Sequence, residues 1–321
     1  MTETLVRTSC PACGADRGHV LSDRDGKTGE PLTVVECGGC GLGHVHPMPT
    51  AETLEAWYTH QYRQDYKAAE VPHLRHVLRA ARIARARWDW LAARPGFTPP
   101  ARALDIGASS GEFVYLLGRR GVAARGIEPH AGYSRFARDA LGLDVAAGTL
   151  QQHLPDLPDG GFELVSMFHV LEHLTDPLGT LRAIARLLAP QGRLFIEVPD
   201  AAGTSAPRNT FFRAHTLYFS PHSLRAVAHA AGFEVEADNF ASRGNLRVVL
   251  RRSPAPAPEA PWAPSDALRQ AQQARRWHRY LWERLRDGHA WRRHAARAEE
   301  KRTASAFGAP RPLLDAVYAA T

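Results

Sequence analysis

No apolar run in the 321-residue chain approaches the length of a membrane-spanning helix, which needs about 20 consecutive apolar residues. A helical membrane span is excluded on that ground, and a cytoplasmic protein is expected. Cysteine is scarce: Cys10, Cys13, Cys37 and Cys40 are the only four, and no secretory signal pattern precedes the first. A disulfide-framed secreted domain is therefore disfavoured. Also missing are the glycines of a dinucleotide fingerprint. Counted from Gly107, G-x-G-x-x-G needs glycine at 109 and 112, where Ser109 and Glu112 stand. An acid at the mouth of the following helix repels a pyrophosphate, so a nicotinamide cofactor is set aside.

What does stand there is ALDIGASSGEF at 103–113, followed by GIEP at 126–129. Residues 103–106 read as a buried strand, 107–111 as a turn whose small residues let backbone N–H groups approach a ligand, and 112–120 as a helix. A second strand over 122–127 leads into Glu128, 21 positions past Gly107, about the offset at which a carboxylate meets the two hydroxyls of a ribose. Further on, 162–168 reads as a strand that breaks into a loop with His169, Glu172 and His173. Asp176 and Pro177 then open a helix to 188. A turn at 190–192, a strand over 192–199, a helix over 221–231 capped by Ser220, and two closing strands at 233–240 and 245–251 complete the pattern. This alternation predicts an α/β fold with a doubly wound, mostly parallel sheet. Ligands of such sheets sit outside the carboxyl ends of the strands, where Asp105, Glu128 and His169 all fall.

Asp105-x-Gly107-x-Ser109-x-Gly111 with Glu128 resembles the first motif and the ribose-binding acid of class I S-adenosylmethionine (SAM) methyltransferases. The resemblance implies a seven-stranded Rossmann-like sheet with its last strand antiparallel, and SAM as cofactor. By the same resemblance Asp105, Gly107, Ser109, Gly111, Glu128, Thr149, Leu150, Phe168 and His169 surround it, with the adenine near Thr149 and Leu150.

Cys10-Pro-Ala-Cys13 and Cys37-Gly-Gly-Cys40 are two knuckles separated by 23 residues. Paired C-x-x-C knuckles point four thiolates at one centre, so Cys10, Cys13, Cys37 and Cys40 are expected to hold a structural Zn2+ with no open coordination position. The layout that follows is a zinc ribbon over 1–46, a helical connector over 47–99, a SAM-binding domain over 100–252, a Pro/Ala linker over 253–264 and a C-terminal helical extension over 265–321. The linker carries SPAPAPEAPWAP, a semi-rigid composition. Within the connector, 73–93 has the periodicity of an amphipathic helix whose arginines are expected to face water. In the extension, helices interrupted at Asp287-Gly288 carry Trp277, Tyr280, Trp282 and Trp291, expected to anchor them to their neighbours. The net charge is +7, which raises the case for an anionic partner such as a phosphate-bearing small molecule or RNA, with solvated arginine-rich helix faces the preferred reading.

Methyl transfer is an in-line displacement at a carbon already activated by the sulfonium, so the protein's task is to align the acceptor and take its proton. His169, His173 and His215 are the candidate bases, His215 preferred, with Tyr218 three residues after it to orient it or a substrate hydroxyl. The order of a cysteine ribbon, VLEHLTDP, then HTLYFS and a helix ending in Gly-Phe is similar to the deoxysugar methyltransferases, including C-methyltransferases of nucleotide-linked keto sugars. That resemblance implies a small-molecule, sugar-like substrate, with His215 as base and Tyr218 beside it. Ala214 stands where C-methylating members carry a glutamate, which leaves O-methylation open. Two rivals compete with methylation of a small metabolite: an RNA methyltransferase docking through its ribbon and arginine-rich helices, and a non-catalytic SAM-fold scaffold.

Overall fold

The computed structural model describes residues 4–50, 53, 71–203, 210–242, 244–254, 263–275, 277–286 and 289–319. Most of the expected 253–264 linker, the expected helix break at 287–288 and most of 51–70 lie outside the described residues.

The N-terminal segment forms β1 (Leu5–Arg7), β2 (Arg17–Arg24), β3 (Pro31–Cys37) and β4 (Gly43–Val45). β2 and β3 pair antiparallel around a turn that Asp25 organises by accepting the N–H groups of Lys27 at 2.7 Å and Thr28 at 3.0 Å. Asp and Asn favour such positions because their side chains substitute for backbone in the turn.

The larger sheet follows. Its strands are β5 (Arg102–Ile106), β6 (Ala123–Glu128), β7 (Val145–Ala147), β8 (Phe162–Phe168) and β9 (Leu188–Val198). A short β10 (Leu217–Tyr218) intervenes before β11 (Phe233–Asp238) and β12 (Leu246–Arg252). Seven strands pair in the order β11-β12-β9-β8-β5-β6-β7. β5 pairs parallel with β6 and β8, β6 parallel with β7, and β11 antiparallel with β12. Ala103 and Leu104 are wholly buried, as are Val165 and Met167, the signature of central strands covered on both faces. This is the doubly wound, Rossmann-like, mostly parallel sheet that the sequence predicts. β10 does not belong to it. It pairs antiparallel with β4 and completes a five-stranded sheet β1-β2-β3-β4-β10. One expected boundary is corrected: the turn at 190–192 is absorbed into the eleven-residue β9.

Ten α-helices are described: α1 (Leu74–Ala92), α2 (Glu112–Arg119), α3 (Ala131–Leu141), α4 (Leu150–His153), α5 (Pro177–Leu187), α6 (Pro221–Ala230), α7 (Ala267–Ala274), α8 (Trp277–Arg286), α9 (His289–Ser305) and α10 (Pro310–Ala319). α1 buries Val77, Leu78, Ala81, Ala84, Trp88 and Leu91 at helical spacing. Its arginines do not simply face water, which corrects the expectation. Arg79 pairs with Glu300, Arg82 donates to Glu299 at 2.8 and 2.7 Å, and Arg85 donates to the Val317 carbonyl at 3.0 Å. α10 buries Leu313, Leu314 and Tyr318, and the Tyr318 hydroxyl donates to the Glu112 carbonyl at 2.9 Å. Trp282 and Trp291 are 66% and 83% exposed, so they do not anchor their helices as expected.

The chain divides into two compact units. One comprises Met1–Tyr66, Phe168–Arg186 and Leu194–Glu283, the other Lys67–Met167, Leu187–Arg193 and Arg284–Thr321.

Candidate active site

In the second unit, the turn after β5 closes against β6. The N–H groups of Gly107 and Ala108 donate to the Ile127 carbonyl at 2.8 and 3.0 Å, and that of Ser109 donates to Glu128 Oε2 at 2.8 Å. The loop amides expected to approach a ligand are thus used to brace the turn. Glu128 gains rigidity from this: its Oε1 also accepts the His130 N–H at 2.8 Å, so both oxygens are held in place at the end of β6. Gly107 and Gly111 have φ of +75° and +88°, a conformation open to glycine at little steric cost. At Gly111 a Cβ would also lie 2.6 Å from Leu143 Cδ1. Ser109 holds φ +52° without being glycine, a strained geometry that the Glu128 bond supports. Asp105 is buried and accepts the Ser166 hydroxyl at 2.6 Å. Burial pushes its carboxyl up to about 7, with Ser166 pulling it back. Thr149 caps α4, its Oγ1 accepting the Gln152 N–H, while Leu150 is buried.

In the first unit, the segment after β8 gathers histidines and carboxylates. Phe168 ends β8 with its ring edge-on to Phe195, 5.1 Å between centroids. His169 follows with φ +56°, its Nδ1 3.1 Å from Glu172 Oε1 and its Nε2 3.2 Å from Glu197 Oε1. Burial works against its charge, but Glu172 and Glu197 outweigh it and raise the imidazole to about 9. Glu197 also accepts from Arg247 Nε at 2.5 Å. Glu172 is 1% exposed, and its Oε2 has no hydrogen-bond partner among the described residues.

His173 and His215 stack edge to face, with centroids 4.9 Å apart. The segment with His215 is tied down from several sides. Thr216 donates its N–H and its hydroxyl to the Glu172 carbonyl, and that hydroxyl also reaches the Leu174 carbonyl at 2.8 Å. Tyr218 is buried, its hydroxyl donating to the Phe212 carbonyl at 2.9 Å and accepting the Phe212 N–H at 3.0 Å. The hydroxyl therefore clamps the loop on which His215 rides. From the β2–β3 turn, Gly26 donates to the Phe211 carbonyl and Asp25 Oδ2 accepts the Arg213 N–H, both at 2.7 Å. Lys27 Nζ lies 3.4 Å over the Phe212 ring. Burial, with the charges of His173, Lys27 and His169, pushes His215 down to about 2. Burial lowers His173 as well. Both rings are neutral near pH 7.

The four cysteines meet as expected. Their sulfurs lie within 4.8 Å of one another, with Cys10 3.6 Å from Cys40 and Cys13 3.4 Å from Cys37. A tetrahedron of Zn–S bonds of about 2.3 Å places its sulfurs roughly 3.8 Å apart, so the spacing suits that ion. The cluster does not include His44, whose Nδ1 lies 3.0 Å from the Val45 carbonyl, or His46, whose Nδ1 lies 3.2 Å from Thr8 Oγ1.

Sequence reasoning missed Glu197, Arg247 and Lys27. An acid inside the apolar stretch LFIEV was a usable signal, since a buried charge demands a partner. Lys27 carried none, because its neighbours come from 185 residues away along the chain.

A family profile described as a methyltransferase domain matches residues 73–238. A ubiquinone biosynthesis O-methyltransferase of Aeromonas salmonicida is 35% identical over 173 residues, 48% of this chain and 71% of its own length. The C-methyltransferase NovU of Streptomyces niveus is 25% identical over 268 residues, 77% of this chain and 61% of its own. A solved structure of the Burkholderia thailandensis 1,6-didemethyltoxoflavin-N1-methyltransferase, with S-adenosylhomocysteine bound, is 20% identical. It covers 69% of this chain and 96% of its own, with a TM-score of 0.45.

Proposed function

Because the chain belongs to the methyltransferase-domain family, we propose that this SAM-dependent methyltransferase moves a methyl group onto a hydroxyl oxygen of a small, sugar-like metabolite. SAM supplies a methyl on a sulfonium, activated for displacement. The observation that carries the donor side is the Glu128 carboxylate, pinned by the Ser109 and His130 N–H groups at the end of β6. Two amides fix the orientation of this carboxylate at the end of the strand, where a ribose's vicinal hydroxyls would meet it. Asp105 stands behind the same turn as a second acid. Its partial ionisation near pH 7 suits the cationic amino-acid end of the donor.

On the acceptor side, His169 lies between Glu172 and Glu197, and His173 and His215 gather at Glu172. His215 is the group that receives the acceptor's hydrogen, and Tyr218 is a positioning residue that acts through the Phe212–His215 turn. The relatives' names support oxygen or carbon as acceptor, and Ala214 in place of the glutamate of carbon-methylating members favours oxygen. A carbon acceptor is the second reading. The four cysteines hold a structural zinc that stiffens the β2–β3 hairpin.

Calorimetry with SAM and with S-adenosylhomocysteine tests the donor side: both should bind, and Glu128→Ala should weaken them roughly tenfold or more, as the loss of charged hydrogen bonds requires. A screen of hydroxylated metabolites and nucleotide-linked sugars with methyl-labelled SAM tests the acceptor. His215→Ala should lower turnover and leave SAM affinity nearly unchanged. Failure of both donor forms to bind overturns the reading.

A further inference from the structure

The cluster after β8 contains more than a proton acceptor requires. One ligand atom each from Glu172, His173 and His215 lies within 4.8 Å of the others. Glu172 is 1% exposed and its Oε2 is a buried acceptor without a hydrogen-bond partner among the described residues. Leaving such a group unsatisfied is costly, the more so when it is charged, so its retention calls for an occupant. The two imidazoles have the right form for a cation. His173 Nδ1 lies 2.6 Å from the Ala214 carbonyl, which selects the tautomer with its lone pair on Nε2. A ring nitrogen given to a backbone carbonyl is how metal-ligating histidines are oriented. Glu172 Oε1 is in turn held by His169, a supporting contact of the same kind. Thr216 ties the Glu172 backbone to the His215 segment, so the three groups are assembled by the fold and not by chance of rotamer. Charge is divided: the buried Glu172 and Glu197 favour a cation, while Lys27, the His169 imidazolium between the two carboxylates and Arg247 on Glu197 oppose it.

From this we infer that Glu172, His173 and His215 form a binding site for a divalent transition-metal ion of the zinc, cobalt and nickel class. Two imidazoles and one carboxylate leave coordination positions open, unlike the closed cysteine site. The ion's role rests on the methyl-transfer reading: an ion on His215 would occupy the lone pair that otherwise serves as base, and an acceptor hydroxyl on an open position would instead be acidified by the ion and release its proton to water.

Tag-free, full-length protein is first given one equivalent of zinc to occupy the cysteines, then titrated with Ni2+ by calorimetry, with metal content measured after gel filtration. One equivalent of nickel should bind. Glu172→Gln and His215→Ala should each weaken it roughly tenfold or more, while Cys13→Ser should lose zinc and retain nickel. If Glu172→Gln does not fold, the half-buried His215 decides the matter alone. No nickel bound at sub-millimolar concentration, or equal binding by the wild type and His215→Ala, overturns the inference. SAM calorimetry on the same samples separates the two readings: donor binding without nickel refutes only the metal site, and nickel binding without donor refutes only methyl transfer.

Discussion

Replacing Asp105 by asparagine should make the protein more stable at pH 8 and a poorer binder of SAM. Asp105 is 3% exposed, and burial raises its carboxyl from 3.8 to about 7, with Ser166 and Arg87 pulling it down and Glu128 pushing it further up. The folded state therefore binds a proton that the unfolded chain has released, so stability falls as pH rises from about 4 to about 7 and levels off above. A shift of about three pH units corresponds to on the order of 4 kcal/mol lost across that window. Asparagine retains an oxygen for the Ser166 hydroxyl, now 2.6 Å from Asp105 Oδ1, and carries no charge to desolvate. Urea denaturation should thus show the variant level with the wild type near pH 4 and more stable by up to about 4 kcal/mol at pH 8. If Asp105 meets the donor's ammonium as proposed, SAM affinity should move the opposite way, by the roughly 1.5–3 kcal/mol that a charged hydrogen bond is worth. That corresponds to a Kd roughly ten- to hundredfold higher. A variant that keeps the wild-type pH slope would refute the burial argument, and an unchanged Kd would remove Asp105 from the donor site.

Four further outcomes are expected. Gly111→Ala places a Cβ 2.6 Å from Leu143 Cδ1 at φ +88°, and should cost about 1–3 kcal/mol in a denaturant melt; a neutral effect would mean the turn relaxes freely. Tyr218→Phe removes both hydroxyl bonds to Phe212, and should lower kcat while SAM affinity stays constant, which steady-state kinetics and calorimetry together can read. Glu300→Gln breaks the pair with Arg79 on α1, but that arginine is half exposed, so the loss in Tm should correspond to about 1 kcal/mol or less. Lys27→Met removes a positive charge felt by both His173 and His215, and should tighten Ni2+ binding severalfold; weaker binding would contradict the assigned electrostatics.

The architecture of the larger sheet was legible because local pattern and tertiary role coincide there. Phe162–Phe168 is apolar at all positions but Glu163 and Ser166 and becomes a central strand, and Ser220 and Asp176 cap the helices they precede, Ser220 accepting the Ser223 N–H and Asp176 that of Gly179. The expected turn at 190–192 failed for the opposite reason: proline and glycine are turn formers by local preference, yet pairing in a long strand overrode it.

Sequence alone determined the turn after the first strand of the larger sheet, the acid that ends the next and the cysteine cluster, because each is encoded by short-range spacing. It also singled out His169, His173 and His215. Only the tertiary structure decided what those histidines are. His169 is raised to about 9 between two buried carboxylates, whereas His215, 46 residues on, is pushed to about 2 by burial beside other cations. The three share one residue type and one intrinsic basicity. Desolvation and Coulombic neighbours separate them, and both depend on which distant segments fold together around each ring.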